Sequence, residues 1–335
     1  MKIIVVHSPY VEPEPGSIGS TYFDNALAYT QANIDHTLGM LRKAGEAGAD
    51  LAVTNEDFGG IGSYMRDMAR ASLFGDLVVR HEASVLDGLR EIARTYGMYV
   101  AANEYETDGG KIYNTTKLIG RDGAVVGKYR KVHLPAGERF VVQSGGAYPV
   151  FETEIGNIGF AICYDFLFPE HCRILALNGA DMVIHQSQGW FPGGPDKNVL
   201  GESYVRVRAT ENRVYIVVAK NAQHDGGMSC VVDNLGSVLA ARGGLRSDLL
   251  IADIEPDYDA VDAYDYDNCY SGLKSLRARH LLHREPSAYG RLTEGDPVFT
   301  SETLAAERLC TYEEWVEIIK KLDALPESER GKYRW

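Results

Sequence analysis

The sequence predicts an α/β protein in which strands and amphipathic helices alternate along most of the chain. Short apolar runs such as KIIVVH (2–7) are typical of buried strands. Longer stretches such as EASVLDGLREIARTYG (82–97) repeat apolar residues at helical spacing, and the two kinds of segment follow each other in turn. A chain of 335 residues with 45% hydrophobic content can also bury a large core.

The first half opens with this strand, a helix over 33–49 and a short strand within DLAVTNEDF (50–58). The next helix ends at Gly97, because glycine favours the backbone conformation that stops helices. Two strands follow, in MYVAANEYE and KIYNTTKLIG, and then a hairpin-like segment, RDGAVVGKYRKVHL, with Asp122 and Gly123 at its turn.

The second half repeats the alternation. A strand ends at Cys163, and a helix is predicted from about Pro169 to Asn178, since proline suits the first helical position. Strands are then expected in ADMVIHQS, VYIVVAKNA, SCVVDNLGSVLAA and LLIADIE, with a helix in NVLGESYVRVRATENR. Two halves of this kind would pair their sheets to bury so many apolar strands.

Charge and cysteine content restrict the function classes. The formal net charge of -13 repels phosphate backbones and anionic membrane surfaces, so neither nucleic acid nor membrane is an expected partner. Five widely spaced cysteines show no zinc-ligand spacing and are expected to be free thiols. With no signal peptide or long apolar segment recognised, we expect a cytoplasmic protein.

No sequence repeat or low-complexity linker separates independent domains. We therefore expect one domain over residues 1–290 and a C-terminal extension over 291–335, with a subunit interface as one location for the extension. The acidic, tyrosine-rich segment 257–270 is predicted to be a solvated loop, with wrapping of a partner subunit as the alternative.

Charged residues at or just beyond strand ends supply what a nucleophilic thiol at Cys163 would need. Such a thiol requires a base, a donor for the developing oxyanion and a fixed geometry. Glu56 and Glu138 are candidate carboxylates, and Lys131 is a candidate donor. Each alone is ordinarily a solvated charge, and Cys163 alone is ordinarily a small buried hydrophobe. Their combination favours a catalytic site.

In this order, Glu56, Lys131, Glu138 and Cys163 resemble the Glu-Lys-Glu-Cys arrangement of the nitrilase superfamily. The resemblance extends to the surrounding segments GKYRKVHL, GERF, GFAICYDFLFPE and RVRATENRVYIVVAKN. It implies a four-layer αββα sandwich and subunits that associate as a homodimer or higher homo-oligomer. It also implies attack of a cysteine on the carbon of a C–N bond, with no metal or organic cofactor.

By the same resemblance, Cys163 is the nucleophile and Glu56 the general base. Lys131 would hold the oxyanion together with the N–H of Tyr164. Its positive charge beside the thiol would also favour the thiolate. Glu138 would orient the substrate or Lys131. The superfamily commonly has proline before the first glutamate, where this chain has Asn55. That difference is expected to alter only a turn.

A second departure is HQSQGW after the strand that follows the nucleophile helix. It would bring His185, Gln186, Gln188 and Trp190 near the pocket mouth. The substrate-binding candidates are Tyr164, His185, Gln188 and Trp190, with His185 favoured as a polar residue satisfied at a strand end. The loop around Trp190 is expected to contact the acyl part of the substrate.

Tyr164 and Asp165 follow the cysteine, as in the amidase and N-carbamoyl-amine hydrolase branches, and Asp165 is expected to cap the next turn. The favoured function is hydrolysis of a small amide through a thioester, which releases ammonia and a carboxylic acid. The alternatives are N-carbamoyl-amine hydrolysis, which releases CO2 and ammonia, and a catalytically silent binding protein on the same fold.

Overall fold

The computed structural model describes residues 1–10, 23–66, 68–135, 137–189, 197–222, 228–244, 246–258, 276–293, 313–314 and 317. The chain groups into two compact units, Met1–Tyr258 and Asp259–Trp335. In the second unit the structure describes a short helix, Leu276–Leu282, and a 3-10 helix, Pro286–Thr293. The predicted boundary at residue 290 stays a prediction.

The first unit contains two mixed β-sheets with helices packed on them. Its strands are β1 Lys2–His7, β2 Leu51–Val53, β3 Tyr99–Asp108, β4 Lys111–Ile119, β5 Val125–Arg130, β6 Val150–Phe151, β7 Ile158–Ile162, β8 Met182–Ser187, β9 Tyr215–Lys220, β10 Ser229–Val232, β11 Val238–Arg242 and β12 Asp248–Asp253. Its helices are α1 Phe23–Glu46, α2 Met68–Tyr96, α3 Pro169–Leu177 and α4 Lys197–Asn212.

The strands form two six-stranded sheets within the described residues, in the orders β12-β1-β2-β3-β4-β5 and β11-β10-β9-β8-β7-β6. Alternate side chains of both sheets, including Ile3, Val53, Phe160 and Val217, meet in one buried core between the sheets. The opposite face of the first sheet packs on α1 and α2 through residues such as Leu41 and Leu89. With α3 and α4 on the second sheet, the architecture is the expected four-layer αββα sandwich.

The structure confirms the strands and helices predicted from the periodicity, including the turn at Gly123 and the helix stop at Gly97, both at positive φ. Two helices begin earlier than predicted, at Phe23 and Met68. The added turns of α2 bury a second apolar set, in which Phe74 and Leu77 are fully buried.

The strand directions bring the candidate residues together at one edge of the sandwich. β1, β2 and β3 run parallel, and β7, β8 and β9 run parallel in the other sheet. β5 is antiparallel to β4, which is antiparallel to β3, so β5 ends at the same edge as β3. Among the described residues, no helix is long and apolar enough to cross a membrane.

Candidate active site

Lys131 follows β5 directly and lies between two carboxylates. Its Nζ donates hydrogen bonds to Glu56 Oε1 at 2.9 Å and to Glu138 Oε2 at 2.7 Å. All three side chains are at most 5% exposed. Burial alone would lower the pKa of Lys131, but Glu138 and Glu56 outweigh it and hold that pKa well above its ordinary range. The lysine is therefore an ammonium in this site.

Cys163 begins a 3-10 helix at the end of β7, with φ of 48°. Non-glycine residues rarely adopt this left-handed backbone, which is held where the surrounding structure requires it. Here it turns the chain abruptly after a fully buried strand. The side chain is partly exposed and lies close enough to Glu56 and Lys131 for both charges to act on its pKa.

The Cys163 thiol differs from the sequence expectation in its resting charge. The proximity of Lys131 was expected to favour the thiolate. Burial, reinforced by the negative charge of Glu56, instead raises the pKa of Cys163 to about 12 against the opposing effect of Lys131. At neutral pH the group is a thiol whose proton must leave during attack, with Glu56 in position to accept it.

Glu56 lies just beyond β2 and accepts hydrogen bonds from several elements. Besides Lys131, its donors are the backbone N–H of Gln188 at 3.0 Å and the side-chain amide of Asn114 at 3.0 Å. Sequence reasoning missed Asn114, a buried amide within β4. The available signal was a run of polar residues, Asn114, Thr115 and Thr116, in the middle of a predicted strand.

Gln188, a predicted substrate-binding residue, follows β8 directly and contacts protein groups. Its N–H binds Glu56 Oε2, and its side-chain Nε2 donates to Asp57 Oδ2 at 2.8 Å. Burial raises the pKa of Asp57 to about 8, an effect that Glu56 reinforces and hydrogen bonds from Gly62 and Ile61 oppose. Gln188 thus joins the second sheet to the Glu56 segment of the first.

His185 is placed beneath the helix layer and away from Glu56 and Lys131. It is 3% exposed, its ring stacks on Phe166 at 4.2 Å, and burial lowers its pKa to about 3. This is the structural role that the sequence favoured for it. Tyr164 is partly exposed beside Cys163 and packs edge-on against Phe168, and Trp190 lies outside the described residues.

Asp165 connects the nucleophile turn to the lysine segment. Its Oδ2 accepts hydrogen bonds from Ile162 N at 3.0 Å and Tyr129 Oη at 2.6 Å, and its Oδ1 accepts two from His133. The first contact caps the 3-10 helix in which Asp165 lies. The predicted cap of the following turn is not formed, since α3 begins after Phe168 without a side-chain cap. The other contacts of Asp165 fix the segment that contains Lys131 relative to Cys163.

One group of possible metal ligands occurs in the described part of the chain: His133, Asp165 and His171 bring three ligand atoms within 4.8 Å. Both oxygens of Asp165 already accept hydrogen bonds, and His171 is fully buried with its Nε2 bonded to Phe160 O. The buried Nδ1 of His171 lies 3.7 Å from Asp165 Oδ1 and makes no hydrogen bond there.

Paired mixed sheets and a buried glutamate-lysine-glutamate cluster beside a thiol are together typical of the nitrilase superfamily. The carbon-nitrogen hydrolase family model matches residues 25–262, and the chain belongs to this family.

Curated relatives include both nitrilases and amidases. The chain is 30% identical over 222 residues to a nitrilase of Pyrococcus abyssi, and this alignment covers 64% of this chain and 80% of the relative. It is 29% identical over 239 residues to the omega-amidase NIT2 of Bos taurus, and this alignment covers 67% of this chain and 83% of the relative.

Solved structures similar to this chain include the NitN amidase from Nesterenkonia sp. AN1. The TM-score is 0.66 at 23% identity, and the alignment covers 87% of this chain and 99% of that one. A second structure of an amidase from Nesterenkonia sp. has a TM-score of 0.61 at 25% identity, with 77% and 91% covered. The first likeness supports the αββα fold.

Proposed function

We propose that the protein hydrolyses a small linear amide through a thioester on Cys163 and releases ammonia and a carboxylic acid. The observation that supports this most is the ammonium of Lys131 held by Glu56 and Glu138, with the Cys163 thiol close enough to both Glu56 and Lys131 for their charges to act on it. This places a nucleophile, a base and an oxyanion donor together in a water-poor site.

In the first half-reaction, the thiol attacks the amide carbonyl carbon as Glu56 takes its proton, because a group with a pKa of about 12 is not ionised beforehand. The carbonyl oxygen gains the negative charge and is stabilised by Lys131 and the N–H of Tyr164. Protonated Glu56 then gives its proton to the leaving nitrogen. The C–N bond breaks, ammonia leaves, and a thioester remains.

In the second half-reaction, water attacks the thioester carbon while Glu56 accepts a proton from it. The tetrahedral intermediate collapses with cleavage of the C–S bond, protonated Glu56 returns a proton to the sulfur, and the carboxylic acid leaves. The same carboxylate therefore serves as base and then as acid in each half-reaction. Glu138 keeps Lys131 directed toward the reacting carbon without touching Cys163.

An amide is favoured over the other C–N substrates by the branch markers Tyr164 and Asp165 and by the amidases among similar proteins. The loop around Trp190 is proposed to contact the acyl part. Hydrolysis of an N-carbamoyl amine is the second candidate, which the same nucleophile segment supports. We further propose that the enzyme acts in the cytoplasm as a homo-oligomer of at least two subunits.

An ammonia-release assay tests this function over a panel of short aliphatic amides, N-carbamoyl amines and nitriles, with Cys163→Ala as the matched inactive variant. Amide turnover that disappears in the variant is expected. Release of CO2 with ammonia only from carbamoyl amines would favour the second candidate. Binding of amides without turnover by the wild type would support the silent binding protein instead.

Light scattering measures the number of subunits, and a monomer would refute the proposed homo-oligomer.

A further inference from the structure

Asn114 bonds the same two carboxylates that Lys131 pairs. Its Nδ2 donates to Glu56 Oε1 at 3.0 Å and to Glu138 Oε1 at 2.8 Å, and the residue is 1% exposed. Both hydrogens of one amide nitrogen are thus used on two negative groups. Lys131 supplies the other pair of bonds, so the carboxylates are bracketed by an ammonium and a neutral amide.

The orientation of the Asn114 amide is set by a second buried amide. Asn103 Nδ2 donates to Asn114 Oδ1 at 2.9 Å, which leaves the nitrogen of Asn114 facing the carboxylates. Asn103 is in turn fixed because its Oδ1 accepts the N–H of Asp57 at 2.7 Å. A flipped Asn114 would place its oxygen against Glu56 and Glu138 and its nitrogen against another donor.

A neutral donor has a specific value in this cluster. Two carboxylates and one ammonium carry a net negative charge in a buried site, and such a site tends to take up a proton on one carboxyl. Burial and the charge of Glu56 raise the pKa of Glu138, whereas Lys131 and the Asn114 hydrogen bond lower it. Asn114 favours the ionised cluster without adding a second positive charge that would compete with Lys131 for the oxyanion.

We propose that Asn114 is a positioning residue that holds Glu56 and Glu138 at fixed places around Lys131 and keeps them as hydrogen-bond acceptors. Its part in turnover rests on the amide hydrolysis proposed above. Its part in orienting the carboxylates rests on geometry alone and is tested without substrate.

The test compares Asn114→Leu, which keeps the approximate shape and removes the donors, with Asn114→Asp, which keeps the shape and supplies only acceptors. The matched control is Asn212→Leu, because Asn212 is a buried amide on α4 that binds Arg208 O. Thermal unfolding by circular dichroism checks that each variant is folded. If Asn114→Leu does not fold, Asn114→Asp is used for both measurements below.

The first measurement is amide turnover across pH. Loss of the Asn114 donors should lower kcat about tenfold to a hundredfold, as expected for a lost bond to a charged group, with a much smaller change in KM. The acidic limb of the pH profile should move to higher pH, because Glu138 loses a donor that favours its ionised form. Asn212→Leu should leave kcat and the limb unchanged.

The second measurement needs no substrate. Carbon-13 NMR of glutamate-labelled protein follows the side-chain carboxyl titrations, and the signal that disappears in Glu138→Gln assigns Glu138. Its titration should move to higher pH in the Asn114 variant and not in Asn212→Leu. An unmoved titration, or an equal loss of kcat in the control, would overturn the proposal. A wild type that hydrolyses no amide would refute the proposed function, while the titration would still decide the role of Asn114.

Discussion

Asp165 holds His133 by two hydrogen bonds, from the backbone N at 2.8 Å and from the ring Nδ1 at 2.9 Å, both to Oδ1. One residue lies two positions after Cys163 and the other two positions after Lys131. The nucleophile and the ammonium come from different sheets, so this contact fixes the distance between them. The geometry of the candidate site therefore depends on a carboxylate that takes no part in the proposed chemistry.

Replacing Asp165 by alanine should lower the free energy of unfolding by about 3 kcal/mol or more, because the N–H groups of His133 and Ile162 lose their acceptor inside the protein. Urea unfolding at pH 7 measures this. Asp35→Ala is the matched control, since Asp35 is an exposed carboxylate on α1 whose loss should cost less than about 0.5 kcal/mol. Equal losses in the two variants would contradict the role given to Asp165.

The stabilisation by Asp165 should also depend on pH. Burial alone would raise the pKa of Asp165, but hydrogen bonds from His133 and Tyr129 and the nearby His171 hold it below its ordinary value of 3.8. A carboxyl whose pKa is depressed by folding stabilises the protein above its unfolded pKa and loses that contribution as pH falls through the folded pKa. The difference in unfolding free energy between wild type and Asp165→Asn should thus be constant from pH 7 to pH 5 and shrink below about pH 3.8.

Cys163 should react with iodoacetamide before Cys172 and Cys230, because it is partly exposed and they are at most 1% exposed. The experiment uses protein in which Cys269 and Cys310 are replaced by serine, so that mass spectrometry compares only the three remaining thiols. With a thiol pKa of about 12, the rate should rise roughly tenfold per pH unit from pH 7 to 10 without a plateau. A plateau near neutral pH would show a resting thiolate and refute the proton transfer assigned to Glu56.

The fold could be predicted from the sequence because strand and helix periodicities are local. A run such as KIIVVH indicates a strand that is buried on both faces, and Gly97 indicates the end of a helix. Neither inference requires information about another segment of the chain. The four central site residues were identified by their order along the chain. Their distances follow from strand directions that only the assembled sheets define.

What could not be predicted depends on contacts between distant segments. Asn114 and Glu56 are 58 positions apart, and nothing in the local pattern of β4 shows which way its amide points. For the same reason, the sequence indicates that Lys131 favours the thiolate but not which effect on the Cys163 thiol is largest. Burial and the charge of Glu56 oppose Lys131, and their relative strength depends on the packed site.

Replacing Lys131 by methionine should lower the rate of thioester formation by a factor on the order of a hundred or more, through loss of the oxyanion donor. It should also lower stability by about 3 kcal/mol, because two buried carboxylates lose their counter-charge. Single-turnover kinetics with mass detection of the acyl-enzyme measures the first effect. Lys128→Met is the control, since Lys128, on the strand that precedes Lys131, pairs with Glu106 in a partly exposed contact. Near-normal acylation in Lys131→Met would refute the assignment.

Glu56→Gln should slow both half-reactions by comparable factors, because one carboxylate is proposed to transfer the proton in each. Formation and decay of the acyl-enzyme are followed separately after rapid mixing with a good amide substrate. Glu91→Gln, a change at an exposed residue of α2, should affect neither step. If only acylation slowed in Glu56→Gln, a different group would be the base for water.

Gln188 allows its predicted substrate contact to be separated from its backbone contact with Glu56. Gln188→Ala keeps the N–H that binds Glu56 Oε2 and should change kcat and KM less than about tenfold, through the lost Asp57 bond alone. Gln188→Pro removes that N–H, while the preceding residue, Ser187, is in a strand as proline prefers. Its kcat should fall about a hundredfold with little change in KM, because the base loses a donor that fixes it. A large rise of KM in Gln188→Ala, with kcat maintained in Gln188→Pro, would instead establish the side chain as a substrate-binding group.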